Sequence, residues 1–199
     1  MRLMIIGPQG AGKGTQAMRI CSELGVPHIA TGDLFRDNIS RGSELGKLAQ
    51  TYMDAGKLVP DDVTQQMVAD RLRHGDAEAG YLFDGFPRNI GQAQWLESLL
   101  EELRTPIERV VELTAPDEVL VQRMLTRGRA DDTVEAIRLR LEIYHAETQP
   151  LVAFYGDKVL PVDGVGTVDE VHDRVFAELG LTPPARDAVS SGTPVTEDA

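Results

Sequence analysis

Short apolar runs alternate along the chain with longer stretches in which apolar residues recur at helical spacing. "RLMIIG" is an apolar run ended by glycine and predicts a buried strand. Over Lys13–Leu24, Ala17, Ile20, Cys21 and Leu24 fall on one helical face, and Gly25 stops the helix. "HIA" predicts a short second strand, and residues 33–40 and 43–55 two short helices around "RGSE". Asp61 reads as the N-cap of a helix reaching about Arg73. "YLFDGFP" gives a third strand running into a turn, and "GQAQWLESLLEELR" an amphipathic helix. "RVVELTA" gives a fourth strand, with Pro116 in the first turn of the next helix. A long helix is expected over 133–154, then a fifth strand in "KVLPV" and a last helix over 168–179 before Gly180. Strands separated by helices predict an α/β fold, a parallel sheet with right-handed crossovers.

Composition narrows the partners. At 199 residues and 42% hydrophobic, the chain can bury one sizeable core. A formal charge of −12 argues against a nucleic-acid or anionic-membrane surface, so any anion site must be a local gathering of Arg and Lys. The lone Cys21 can form neither an internal disulfide nor a thiolate zinc cluster. No run is long enough for a membrane span, and "LMII" is too short for a secretory signal, so a cytoplasmic protein is the expectation. Residues 182–199 carry three prolines and few bulky apolar groups, which predicts a disordered tail.

The stretch "LMIIGPQGAGKGTQ" has Gly7, four residues, Gly12 and Lys13, as in a phosphate-binding loop, but Gly14 where Ser or Thr is usual. Its place between a strand and a helix is the setting such a loop requires. Backbone N–H groups and the helix N-terminus would face a phosphate chain, with Lys13 reaching its end. A strand-to-helix turn without ligand is the bland alternative.

Read onward, "GPQGAGKGTQ", "TGDLFR", "GKLVP", "DGFPRN" and "RGRADD" follow in order, and together they resemble the adenylate kinases, within the nucleoside monophosphate kinases. The resemblance covers about residues 1–181. That family writes its loop GKGT, so Gly14 is a subclass mark. It implies a phosphate-loop NTPase-type fold: a five-stranded parallel sheet flanked by helices, with a small AMP-binding insertion over about 30–59 and a lid over about 126–136. The implied reaction is phosphoryl transfer from MgATP to AMP, giving two ADP. An acceptor phosphate is already ionised, so no general base is needed; aligning and neutralising two polyanions is the task.

By the same resemblance, Gly10, Ala11, Gly12, Lys13, Gly14 and Thr15 would hold the ATP phosphates, with Arg123 and Arg127 over them and Gly166 against the adenine. Thr31, Arg36, Lys57, Leu58, Val59, Gly85, Phe86, Pro87, Arg88 and Gln92 would form the AMP site, with Arg129 and Arg140 closing on the phosphates from the other side. Lys13 and Arg88, Arg123, Arg127, Arg129 and Arg140 would carry catalysis. Asp84 would hold Mg²⁺ through its waters. Each has a plainer alternative. The arginines could be surface charges paired with Asp131, Asp132 and Glu135; Asp84 could cap a turn; Gln92 could be an exposed helix residue; Gly166 could be an ordinary turn glycine.

The lid is short. Only "GRADDT" separates its flanking helices, leaving no room for the zinc-binding sheet of longer lids. His28, His74, His145 and His172 show no ligand spacing and read as structural or exposed. A UMP/CMP kinase would carry "SAGD" for "TGD" and Asn for Gln92, and a nucleotide switch would not need the acceptor motifs. Gln92 could meet adenine N6 and N1 with one carboxamide; reversed, the same amide would suit guanine. The implied partners are ATP, AMP and ADP, and the protein is expected to be a monomer.

Overall fold

The computed structural model describes residues 1–54, 59–128 and 132–183. Lys57, Leu58 and Arg129 therefore lie outside the described residues, as does the expected tail apart from its first two positions. Five parallel strands, β1 (Arg2–Ile6), β2 (His28–Ala30), β3 (Tyr81–Asp84), β4 (Arg109–Thr114) and β5 (Val159–Asp163), form one sheet in the order β2-β3-β1-β4-β5. The helices are α1 (Lys13–Leu24), α2 (Thr31–Ser40), α3 (Glu44–Asp54), α4 (Asp61–Leu72), α5 (Ile90–Glu102), α6 (Asp117–Arg127), α7 (Val134–Ile143), α8 (Leu151–Tyr155) and α9 (Val168–Glu178).

The central strand β1 reads as an apolar run because both faces of the sheet are covered there. Leu3 and Ile5 pack with α1, α6, α7 and α9, while Met4 and Ile6 point the other way into a core with α4, α5 and α8. The chain leaves β1 toward β2 and β3, and leaves β4 toward β5, so a crevice opens at the carboxyl ends of β1 and β4, where open α/β sheets take their ligands. Cys21 is buried on α1, and burial pushes its thiol up to about 11. No helix among the described residues is long and apolar enough to cross a membrane.

Three expected elements differ. The long helix over 133–154 is α7, a wider turn at Tyr144–Thr148 and then α8, whose N-cap is Pro150, a residue with no N–H to continue the ladder. Pro60, not Asp61, is the N-cap of α4, and Pro116 is the N-cap of α6, one place before its first turn. The side chain of Asp61 is engaged elsewhere.

Candidate active site

The loop after β1 is shaped by backbone that other residues could not supply. Gly7 has φ 142°, and a Cβ there would stand 2.3 Å from the Leu113 carbonyl oxygen of β4. Only glycine lets the loop lie in the crevice between β1 and β4. The N-cap of α1 is Gly12; no side chain caps it, and its first turn has no acidic residue. The positive end of the helix thus meets the loop with its N–H groups available to an anion. Lys13 Nζ donates to the Pro8 carbonyl at 2.9 Å, folding over the loop. Its amine is pushed down to about 8, chiefly by desolvation; the Asp84 charge opposes this, and those of Arg88 and Arg127 add to it.

At Gly14 a Cβ would sit 3.6 Å from Asp84 Oδ2, an ordinary contact, so the carboxylate at the end of β3 stands beside the first turn of α1 without the space requiring glycine. That carboxylate is largely buried, with His28 Nε2 at 3.3 Å. Among the described residues, no cluster of three or more His, Cys, Asp or Glu could hold a metal by itself. One hard oxygen donor facing a phosphate loop nevertheless fits Mg²⁺, which keeps several waters and is carried by phosphates.

The arginines divide into three groups. Arg123, half-buried on α6, donates to the carbonyls of Gly10 at 3.4 Å and Gly164 at 3.0 Å, joining the phosphate loop to the loop after β5. Arg127, one turn later, makes a two-pronged pair with Asp132 at 3.1 and 2.9 Å, and Arg140 reaches the same carboxylate at 3.0 Å. The Asp132 side chain is only 1% exposed. Pairing with Asp132, the plainer alternative for the arginines, is therefore what Arg127 and Arg140 do here. Arg36 is exposed and pairs with Asp33, and Arg88 is exposed with Nε donating to the Gly85 carbonyl at 2.8 Å.

On the acceptor side, Thr31 opens α2 and its hydroxyl donates to the Gly85 carbonyl at 3.2 Å. Gly85 has φ 77°, and a Cβ there would stand 3.2 Å from Thr31 Oγ1. Phe86 and Pro87 are buried, Phe86 against Phe83 and Trp95, and half-buried Val59 packs on the same core. Gln92 is buried rather than exposed: Oε1 accepts from the Arg88 N–H at 2.8 Å, and Nε2 donates to Asp61 Oδ1 at 2.6 Å. Asn89 caps α5 through Gln92 N–H and donates to Asp61 Oδ2 at 3.3 Å.

At the other end, Gly166 precedes a capping box in which Thr167 and Glu170 satisfy each other's backbone N–H groups. Its φ is 126°, and a Cβ would come within 2.7 Å of Glu170 Oε2, so the cap itself accounts for glycine there. Sequence reasoning missed the carboxamide behind the loop. Gln16 Nε2 donates to the Val168 carbonyl at 2.8 Å, Oε1 meets His172 Nδ1 at 3.1 Å, and His172 Nε2 meets Glu23 at 2.9 Å. These partners lie about 150 positions apart, and no local signal could have joined them.

A central strand, a glycine loop with its lysine, a carboxylate at the next strand's end and arginines from the second half of the chain define a phosphate-loop phosphotransferase. The adenylate kinase family model matches residues 5–160. The chain is 52% identical over 180 residues to the adenylate kinase of Corynebacterium aurimucosum, covering 90% of this chain and 99% of that protein. It is 51% identical to that of Nocardia farcinica and 52% to that of Mycobacteroides abscessus, with the same coverage. The chain belongs to the adenylate kinase family, and its reaction is reversible phosphoryl transfer between adenine nucleotides.

Proposed function

We propose that the reaction runs from MgATP to AMP, giving two ADP, with the donor triphosphate on the loop of α1 and the acceptor under α2. The observation that carries this reading is the meeting of two half-sites at the end of β3. Asp84 stands beside the first turn of α1, and the next residue, Gly85, takes bonds from both Thr31 and Arg88. A triphosphate along the loop and a monophosphate above Gly85 would lie end to end.

The residue roles follow from charge. Lys13 would sit on the terminal phosphates, whose negative charge restores its full protonation. Arg88 and Arg36 would hold the acceptor phosphate, and Arg123, Arg127, Arg129 and Arg140 the donor and the group in transit. Asp84 would keep Mg²⁺ through water; when bound, the ion neutralises charge on the phosphate oxygens. Gln92 and Thr31 would meet the acceptor adenine, framed by residues 57–59. The insertion over 30–59 and the lid over 126–136 would exclude water.

The test is product stoichiometry. Chromatography should show two ADP formed for each ATP and AMP consumed, and negligible ADP from ATP alone. Hydrolysis of ATP without AMP at a comparable rate would replace this reading with that of a nucleotide-driven switch.

A further inference from the structure

We infer that Asp61 is a positioning residue for acceptor specificity, fixing the Gln92 carboxamide so that it matches adenine and mismatches guanine. The inference rests on the reading of Gln92 as the side chain that meets the acceptor base.

The two ends of a carboxamide are nearly alike in shape and opposite in chemistry. A reversed Gln92 would fit its cavity almost as well, so the neighbours must decide. Both are chemically unambiguous. The Arg88 main-chain N–H can only donate, and it faces Oε1 at 2.8 Å. The Asp61 carboxylate accepts, and it faces Nε2 at 2.6 Å. Reversal would set donor against donor and acceptor against acceptor at a side chain in a residue only 6% exposed.

Asp61 is itself held. Asn89 Nδ2 donates to its second oxygen at 3.3 Å, and the first turn of α4 favours a negative charge. Among the described residues its two oxygens go to Gln92 and Asn89, so capping of α4 does not account for its placement.

Each end of the Gln92 amide keeps capacity for one further bond, Oε1 through a second lone pair and Nε2 through a second hydrogen. The available face is therefore an acceptor beside a donor. Adenine presents the N6 amino donor beside the N1 acceptor and matches it. Guanine presents O6, an acceptor, beside the N1–H donor, and meets like with like at both points. Discrimination of this kind comes from stranding buried polar groups.

The test is kcat/KM with AMP and with GMP, MgATP as donor, on the parent, Asp61→Ala, Asp61→Asn and Gln92→Ala. Asp61→Ala should lower the preference for AMP over GMP by about tenfold or more, through the acceptor KM, with the KM for ATP unmoved. Asp61→Asn, which can turn either a donor or an acceptor toward Gln92, should fall between; being near-isosteric, it also guards against a folding failure of the alanine variant. If both Asp61 variants weaken AMP and GMP by the same factor, or leave their ratio at the parent value, the role of Asp61 is overturned. If the AMP preference survives Gln92→Ala, the reading of Gln92 fails, and this inference with it. If the preference collapses in Gln92→Ala but holds in both Asp61 variants, Gln92 stands and Asp61 alone falls.

Discussion

Arg127 grips Asp132 with two hydrogen bonds, at 3.1 and 2.9 Å, around a carboxylate that is only 1% exposed. Arg140 shares that carboxylate from the next helix, so one acidic group sets the spacing of two cations. Both guanidinium groups keep some solvent contact, which limits what the pair adds to stability. Asp132→Ala should therefore cost about 1–2 kcal/mol of stability. Its larger effect should be on function: with Arg127 and Arg140 in the proposed role of holding phosphate, losing their alignment should raise the KM for ATP and lower kcat about tenfold. Thermal melts and steady-state kinetics check both; an unchanged KM for ATP would show that these arginines do not serve the donor.

Lys13→Met removes the cation folded over the loop. It should lower kcat/KM by roughly 3–5 kcal/mol of transition-state stabilisation, with the far-ultraviolet circular dichroism of the parent. Activity within tenfold of the parent would remove Lys13 from the site.

The Lys13 amine, pushed down to about 8, also predicts proton uptake. At pH 8 roughly half of the amines are neutral, and polyphosphate should restore the missing charge. Calorimetric titration of ATP in buffers of different ionisation enthalpy should show about half a proton taken up at pH 8 and almost none from this group at pH 6. The folded amine titrates below its unfolded value of 10.5, so the unfolded chain binds more protons between about 8 and 10.5. The cost of the buried charge is full below that window and fades as pH rises through it.

Gly7 and Gly14 should separate sharply under the same substitution. Gly7→Ala drives a Cβ to 2.3 Å from a backbone oxygen at φ 142°, and should cost roughly 3 kcal/mol and most of the activity. Gly14→Ala meets only an ordinary contact at 3.6 Å inside a helix, and should melt within about 1 kcal/mol of the parent. Denaturant midpoints on both variants decide it.

Much of this was legible in the chain because the signals are local. Glycine after an apolar run marked the phosphate loop, and helical spacing marked α1 and α5. The break between α7 and α8 was hidden because apolar residues keep a near-helical phase across it, with Ile137, Leu141, Leu151 and Tyr155 all buried. Asp61 was misread because its position suits an N-cap, whereas its carboxylate is taken by Gln92, 31 residues away. His172 reads from the sequence as structural or exposed, and it is buried; its partners Gln16 and Glu23 are brought to it only by the sheet and the packing of α1 on α9. The pairing of Arg127 and Arg140 with Asp132 was open in the sequence, and its geometry, two arginines on one carboxylate, was not.

The most direct test of the account is acceptor choice. kcat/KM with MgATP should favour AMP over CMP and UMP by about 10⁴-fold, because a pyrimidine is too small to engage the buried Gln92 amide. Equal rates with CMP or UMP would contradict the assignment of the site at the end of β3 to AMP.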